Sequence, residues 1–283
     1  MKKMLYTDRR IGSTKLHEGL IPYITFPLLS GTGIIRHGFS TRLGGVSSGI
    51  YESMNLDFRC REPKENVWEN YRRITNALNM SMEDLVLSAQ THTTNIRRMT
   101  ADDRGKGFFR ERDYTDVDGM ITDDPSVVLV GLFADCVPLF FVDPVHHAIA
   151  LSHAGWRGTA GRIGEKTVRA MGEAFGTKPQ DLCCAVGPSI CRSCYEVSDD
   201  VAQSFREAFA GENAADIVTP KESGKYLVDL QMANTLTLMS AGVPVTQIAV
   251  SDLCTCCRSD LLWSHRATKG QRGEMAAFVQ LLA

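Results

Sequence analysis

Residues 131–161 read GLFADCVPLFFVDPVHHAIALSHAGWRGTAG, and this stretch restricts the fold more tightly than any other. The apolar run Val137 to Val142 meets turn chemistry at Asp143–Pro144–Val145–His146, and a second apolar run, Ala148 to Ser152, follows. Two short apolar runs about a Pro-containing turn predict an antiparallel hairpin. A turn centred between Pro144 and Val145 opposes residues whose numbers sum to 289, and Cys136 then stands opposite His153. Opposed side chains share one face with their β-carbons about 5 Å apart. A thiolate and an imidazole so placed can share a Zn²⁺ or act as nucleophile and base. A register slip of one residue would send them to opposite faces.

The segment Gly155–Trp156–Arg157–Gly158–Thr159–Ala160–Gly161 continues into a helical stripe of Ala160, Ile163, Gly164, Val168, Met171 and Phe175, closed by Gly176 and Lys178–Pro179. A Gly-rich turn opening a helix has free N–H groups that suit a phosphate, with Arg157 adding charge; the alternative is a tight turn and no more.

The 283 residues are 43% hydrophobic and 23% charged, ordinary globular composition, and the net charge of −2 makes no electrostatic case for nucleic acid or an anionic membrane. Met1–Lys2–Lys3 is basic, but Thr7, Asp8, Arg9 and Arg10 stand where a signal peptide needs an apolar core. A cytoplasmic protein is the expectation. The nine cysteines are odd in number, which favours reduced thiols over a disulfide framework.

Strand-like runs fall at Ile21–Phe26, Ile34–Phe39, Asp84–Ala89, Ser126–Phe133, Asp181–Val186, Lys225–Leu230 and Ile248–Leu253. Helical patterns fall at Glu65–Met80, Asp200–Ala210, Leu230–Ala241 and Glu274–Leu282. Arg104 to Thr115 reads as an exposed charged insertion. The chain carries no repeat or Pro/Ser-rich linker. The expected fold class is therefore α+β: one catalytic domain over 1–283, with a variable segment at 1–33, mixed sheets layered with helices, and the central hairpin carrying the site.

Three constellations carry chemistry. His92, Cys136 and His153 form a catalytic-type zinc set, to be weighed against a buried thiol and satisfied histidines. Cys183, Cys184, Cys191, Cys194, Cys254, Cys256 and Cys257 include metal-ligand spacings, C-x-x-C and C-x-C-C. They are read here as small buried hydrophobes, because both groups follow apolar strands and lack flanking knuckle glycines. Arg42, Arg157, His265 and Arg266, at loop positions beside glycines, can cradle a phosphate.

These residues also form an ordered set of motifs: His37–Gly38–Phe39–Ser40–Thr41–Arg42, Asn55–Leu56, Gln90-x-His92, Asp118–Gly119, Ala134–Asp135–Cys136-x-Pro138, His153–Ala154–Gly155–Trp156–Arg157–Gly158, Gly187–Pro188, Tyr195–Glu196–Val197, Cys254–Thr255-x-Cys257 and Ser264–His265–Arg266. From about Ile35 onward the chain resembles the laccase-like multicopper polyphenol oxidase family, also called peptidoglycan editing factor. Members of that family have been reassigned as zinc-containing purine nucleoside phosphorylases with adenosine deaminase activity. Asp57–Phe58–Arg59 and the segment Arg266 to Glu274 depart from the family pattern.

The resemblance implies Zn²⁺ on His92, Cys136 and His153, with copper as the other ion such a site accepts. It implies purine nucleosides and inorganic phosphate as substrates. Arg42 and Arg157 are then expected to hold phosphate with help from His37 and Ser40, and Asp135 to support the metal or carry a proton. Phe39, Trp156 and Tyr195 are candidates to stack on the base, with Gln90, Asp118, His265 and Arg266 completing the substrate site. A full multicopper centre is not expected, because the chain has seven His and no His-x-His pair. Three alternatives remain at this stage: a cysteine hydrolase on Cys136 and His153, a cell-wall-precursor editing or accessory protein, and a copper-dependent phenol oxidase.

Overall fold

The structure is a computed structural model that describes residues 13–210 and 214–283; the basic Met1–Lys2–Lys3 start lies outside the described residues. In chain order the strands are β1 (Lys15–His17), β2 (Tyr23–Thr25), β3 (Ile35–Ser40), β4 (Leu85–Leu87), β5 (Ile96–Arg98), β6 (Gly119–Thr122), β7 (Val128–Phe133) and β8 (Val137–Asp143). They continue with β9 (Ala148–Ala154), β10 (Cys183–Val186), β11 (Glu196–Val197), β12 (Val218–Pro220), β13 (Tyr226–Val228), β14 (Ile248–Val250) and β15 (Met275–Leu281). One sheet has the order β1-β2-β3-β15-β7-β4 and a second the order β14-β10-β8-β9-β6-β5; β11, β13 and β12 form a small third sheet. Both large sheets mix parallel and antiparallel pairs, as the interleaved elements predict.

The two large sheets share one core. On β8, Phe140 and Val142 face the first sheet, where they join Phe26, Phe39, Leu129, Phe133, Ala277 and Val279. Val137, Leu139 and Phe141, on the opposite face of β8, pack beneath the helices Ile163–Phe175 and Leu230–Ser240. The helix Lys64–Leu78 covers the outer face of the first sheet with Val67, Tyr71, Ile74 and Leu78 against Val128, Val130 and Phe278. The layers thus run helix, sheet, sheet, helix. Strands buried on both faces lose polar alternation, which is why β7 and β8 read as unbroken apolar runs.

The hairpin forms with a different register from the expected one. Val137 pairs with Ala154 and Pro138 with His153, so paired numbers sum to 291 and the turn lies one residue later. A shift of two in the sum preserves the face. Cys136, just before β8, therefore stands diagonal to His153 on the same side of the sheet rather than directly opposite.

Three other expectations are corrected or refined. Residues 275–281 form a strand, not the helix expected over Glu274–Leu282. They lie between β3 and β7, with Met275, Ala277, Val279 and Leu281 facing one core and Ala276 and Phe278 the other. Pairing on both edges and burial on both faces outweigh the helix preference of its alanines. The Gly-rich segment after Gly155 is not simply a turn: Trp156–Ala160 is itself helical, and the expected helical stripe begins only at Ile163, with Arg162 between the two helices in the left-handed conformation (φ 59°). The Arg104–Thr115 segment is exposed over 109–113, as expected, but it is anchored to the fold at both ends: Gly105 N–H donates to Leu85 O, Tyr114 Oη to Leu87 O, and the buried Lys106 pairs with Asp103 and Asp113.

Candidate active site

The end of β9 delivers His153, the bend before β8 delivers Cys136, and the loop after β4 delivers His92. Their ligand atoms all lie within 4.8 Å of one another, and His92 Nε2 is 3.9 Å from Cys136 Sγ. The rings of His92 and His153 meet edge to face with centroids 4.9 Å apart. His153 is buried, Cys136 half-buried and His92 exposed, so the group opens to solvent on the His92 side. His92 has φ 66°, a left-handed backbone uncommon outside glycine that local contacts must hold in place.

Asp118 supplies those contacts. Its Oδ1 accepts from His92 N–H at 3.1 Å, and its Oδ2 accepts from the N–H groups of Thr91 and Thr93 at 3.0 and 2.9 Å. The same Oδ1 is 2.8 Å from His153 Nδ1. One carboxylate thus shapes the His92 loop and fixes the His153 ring so that Nε2 is the nitrogen left for a ligand. Burial works against the Asp118 charge, but hydrogen bonds from His153, Thr91 and Thr93 outweigh it and hold the carboxyl at about 2. Burial likewise pushes the Cys136 thiol up, yet the two imidazoles more than offset this and bring it down to about 7. His153 is raised to about 10, burial being outweighed by Cys136 and Asp118. A thiolate at neutral pH is what a metal ligand or a nucleophile requires.

The Gly155 turn has a steric reason. Its backbone (φ −66°) suits any residue, but a β-carbon there would lie 2.6 Å from His92 Cδ2 and 3.2 Å from Cys136 Sγ. Gly155 therefore makes room for the donor cluster, a role the sequence reading did not assign.

Around the donors stand Asp135, Trp156, Arg157, Tyr195, His265 and Arg266. Asp135 has φ 87°, and both of its carboxylate oxygens are engaged: Oδ1 accepts from Thr255 Oγ1 at 2.6 Å and Oδ2 from Arg266 N–H at 2.7 Å. It holds the backbone beside Cys136 in place, which leaves little capacity for the proton-carrying role considered above. Burial raises the Tyr195 hydroxyl, as do the negative Cys136 and Asp135, while Arg266 and Arg157 oppose the rise; Tyr195 thus lies within the field of all four. The Arg266 guanidinium sits 5.4 Å from the Tyr195 ring and donates to Cys194 O. Arg157 lies 4.3 Å from the centroid of Trp156. Both arginines are exposed, and neither has a carboxylate partner among the described residues. His265 opens the short helix His265–Thr268 beside Arg266 and is exposed.

Five expected site residues are occupied elsewhere. His37 is buried in β3; its Nε2 accepts from Phe26 N–H at 2.9 Å and its ring packs on Phe26 and Phe140. The Ser40 hydroxyl is buried and accepts from Ala276 N–H. The Arg42 guanidinium donates to the carbonyls of Ser259 and Glu52 and lies 3.9 Å from the Trp263 ring, so it ties loops together. Gln90 bridges Leu132 N–H and C=O at the edge of β7, although it also lines a cavity with Thr91, Asp116, Arg59 and Tyr114. Phe39 is wholly buried against Phe133.

The thiols divide. Cys184 is a buried strand residue, as expected. Cys191, Cys194, Cys254 and Cys257 are not scattered hydrophobes: their sulfurs gather within 4.8 Å of one another. Cys254–Thr255-x-Cys257 is a second C-x-x-C that matches Cys191–Cys194, and the reading as buried hydrophobes set this metal-ligand spacing aside.

Residues 36–282 match the model of the family described as multi-copper polyphenol oxidoreductase laccase. The chain is 37% identical over 246 residues to purine nucleoside phosphorylase YlmD of Bacillus subtilis strain 168, covering 86% of this chain and 87% of that one. It is 33% identical over 232 residues to adenosine deaminase RL5 from an unidentified prokaryote, covering 81% and 87% respectively. The crystal structure of YlmD from Geobacillus stearothermophilus superposes with a TM-score of 0.86 at 35% identity, over 95% of this chain and 99% of that one.

Proposed function

The chain belongs to the multi-copper polyphenol oxidoreductase laccase family, and from that premise we propose that it is a zinc-dependent purine nucleoside phosphorylase that also deaminates adenosine. The observation that carries this reading is the open three-donor cluster of His92, Cys136 and His153, with His153 oriented by Asp118 and two unpaired arginines beside it. Two imidazole nitrogens and one thiolate fit Zn²⁺ with a position left for water or substrate. They also accept copper, but the oxidase name asks for more. All seven histidines lie among the described residues, and only His92 and His153 enter a potential metal group.

In phosphorolysis a phosphate oxygen forms a bond to ribose C1′ as the C1′–N9 bond breaks and the purine leaves. Arg157 and Arg266 hold the phosphate, a task for cations not locked in an ion pair with a carboxylate. Trp156 and Tyr195 stack against the base. In deamination, water adds at C6 of adenine and ammonia leaves. A bound zinc ion supplies Lewis acidity. Asp118 retains the Nδ1 proton of His153, and Asp135 keeps Cys136 in position. Adenosine, inosine, guanosine and 5′-methylthioadenosine are the proposed substrates. The single core shared by both large sheets supports reading residues 1–283 as one catalytic unit.

The Cys136–His153–Asp118 series also has the order of a nucleophile–base–orienter triad, which favours a cysteine hydrolase as the second reading. His92 beside Cys136 favours metal, since a triad has no use for it. The test incubates purified protein with each nucleoside, with and without phosphate, and assays metal content alongside. Phosphate-dependent free base and sugar phosphate, abolished in His92→Ala, are expected. Absence of both products and of inosine, together with a covalent acyl adduct on Cys136, would select the hydrolase.

A further inference from the structure

The second thiol group is the strongest feature left unused by the proposed chemistry. β10 and β14 are parallel neighbours, pairing Cys184 with Ile248 and Val186 with Val250. They leave the sheet on the same side, and a further parallel bridge joins Ser189 to Cys254. The two C-x-x-C turns, Cys191–Cys194 and Cys254–Cys257, therefore arrive together although they are far apart in sequence. Parallel topology does what sequence spacing cannot.

The geometry is that of a tetrathiolate. Cys194 Sγ is 3.5 Å and Cys191 Sγ 3.9 Å from Cys257 Sγ, and all four sulfurs lie within 4.8 Å. A zinc–sulfur bond of about 2.3 Å implies a tetrahedral S–S edge of about 3.8 Å. Disulfide sulfurs would be about 2.05 Å apart. The N–H groups of Cys191 and Cys257 point at Cys254 Sγ from 3.2 and 3.4 Å, donors that favour a thiolate there.

We propose that Cys191, Cys194, Cys254 and Cys257 hold a structural Zn²⁺ that fixes one wall of the active site. Both C-x-x-C turns border that wall. Cys194 precedes Tyr195, and its carbonyl accepts from Arg266. Thr255, inside the second C-x-x-C, donates to Asp135, and Ile190 N–H donates to Asp135 O. Four thiolates with no open position suit a structural ion, whereas the three donors at His92 leave room for chemistry.

The test is metal stoichiometry by elemental mass spectrometry on protein purified under reducing conditions. Two zinc equivalents per chain are expected in the wild type, falling to one in Cys194→Ser/Cys257→Ser and to one in His92→Ala/Cys136→Ala. Because the serine variant can misfold, the decisive sample is His92→Ala/Cys136→Ala, which leaves the four thiols intact. Loaded with Co²⁺ it should show thiolate-to-cobalt charge transfer and the strong visible bands of a tetrahedral ion. If that variant retains no metal while its four thiols alkylate freely, or if a disulfide joins two of them, the proposal is overturned. Iron in place of zinc overturns the ion assigned. A wild type with one equivalent that survives in His92→Ala/Cys136→Ala supports this site and counts against zinc at the other, so the two proposals fail separately.

Discussion

Asp118→Asn keeps the shape of the side chain but removes the charge that three backbone N–H groups and His153 Nδ1 share. Loss of such a partner lowers metal affinity by about 10- to 100-fold. Competition with a chromophoric chelator should show that drop, and an unchanged affinity would deny Asp118 its organising role. His37 gives a pH prediction of a different kind. Burial first, and then the neighbouring His17, lower it from 6.5 to about 4. Between these values the unfolded chain binds a proton that the folded chain refuses. Stability from this residue is therefore complete above pH 6.5 and is lost as pH falls toward 4, by an amount on the order of 3 kcal/mol. Urea unfolding over that window should show a shallower pH dependence in His37→Gln, which offers an oxygen to Phe26 N–H but cannot titrate. Equal slopes in the two proteins would refute the assignment. Sequence alone could not separate His37 from His92 or His153, because all three follow or sit in apolar runs; only neighbours distinguish a ring facing a pocket from one facing Phe26 and Phe140.

At the scale of elements, the hairpin β8–β9 and the Gly155 turn carry the site, and β15 carries the fold. Gly155→Ala places a methyl group against His92 and Cys136 while leaving the backbone in an ordinary conformation. Zinc content and phosphorolysis should fall together, with the melting temperature nearly unchanged; a melting temperature that falls with full zinc retained would make the glycine structural instead. Phe278, wholly buried beneath the Lys64–Leu78 helix, tests the strand that replaces the expected helix. Phe278→Ala should cost about 3–5 kcal/mol in denaturant unfolding. A cost below about 1 kcal/mol would place residue 278 at the surface, as one side of an amphipathic helix would have it. The hairpin itself was legible because two apolar runs and an Asp–Pro turn admit few alternatives. Its register was not, since a turn of Pro144 to His147 and one residue earlier read equally well, and the β15 pairing that settles the chain end is contact with strands more than a hundred residues away.

For the molecule as a whole, Phe26, Phe39, Phe133 and Phe140 fill the core between the two large sheets, and the His92 cluster only borders it, through Cys136 and through the His153 ring 5.4 Å from Phe133. Removing that metal with a chelator should therefore abolish phosphorolysis while far-UV circular dichroism stays native, and zinc alone should restore activity. Loss of the far-UV signal on removing only that ion would mean that the site builds the fold. No described helix is long and apolar enough to cross a membrane.

What the sequence determined by itself was local: the apolar hairpin and the mixed α+β layering, while His92, Cys136 and His153 stood out as candidate metal donors through the resemblance of their motifs to a known family. What only the tertiary structure decided was which polar groups are already spent. Arg42 and Arg157 both read from sequence as loop arginines near glycines, yet Arg42 is bound to Ser259 and Glu52 carbonyls, whereas Arg157 stands in the helix Trp156–Ala160, exposed and without an ion-pair partner among the described residues. The four-cysteine cluster was decided the same way. Its two halves are brought together by parallel strands β10 and β14, and the pairing of strands so distant in sequence depends on the whole core closing around them.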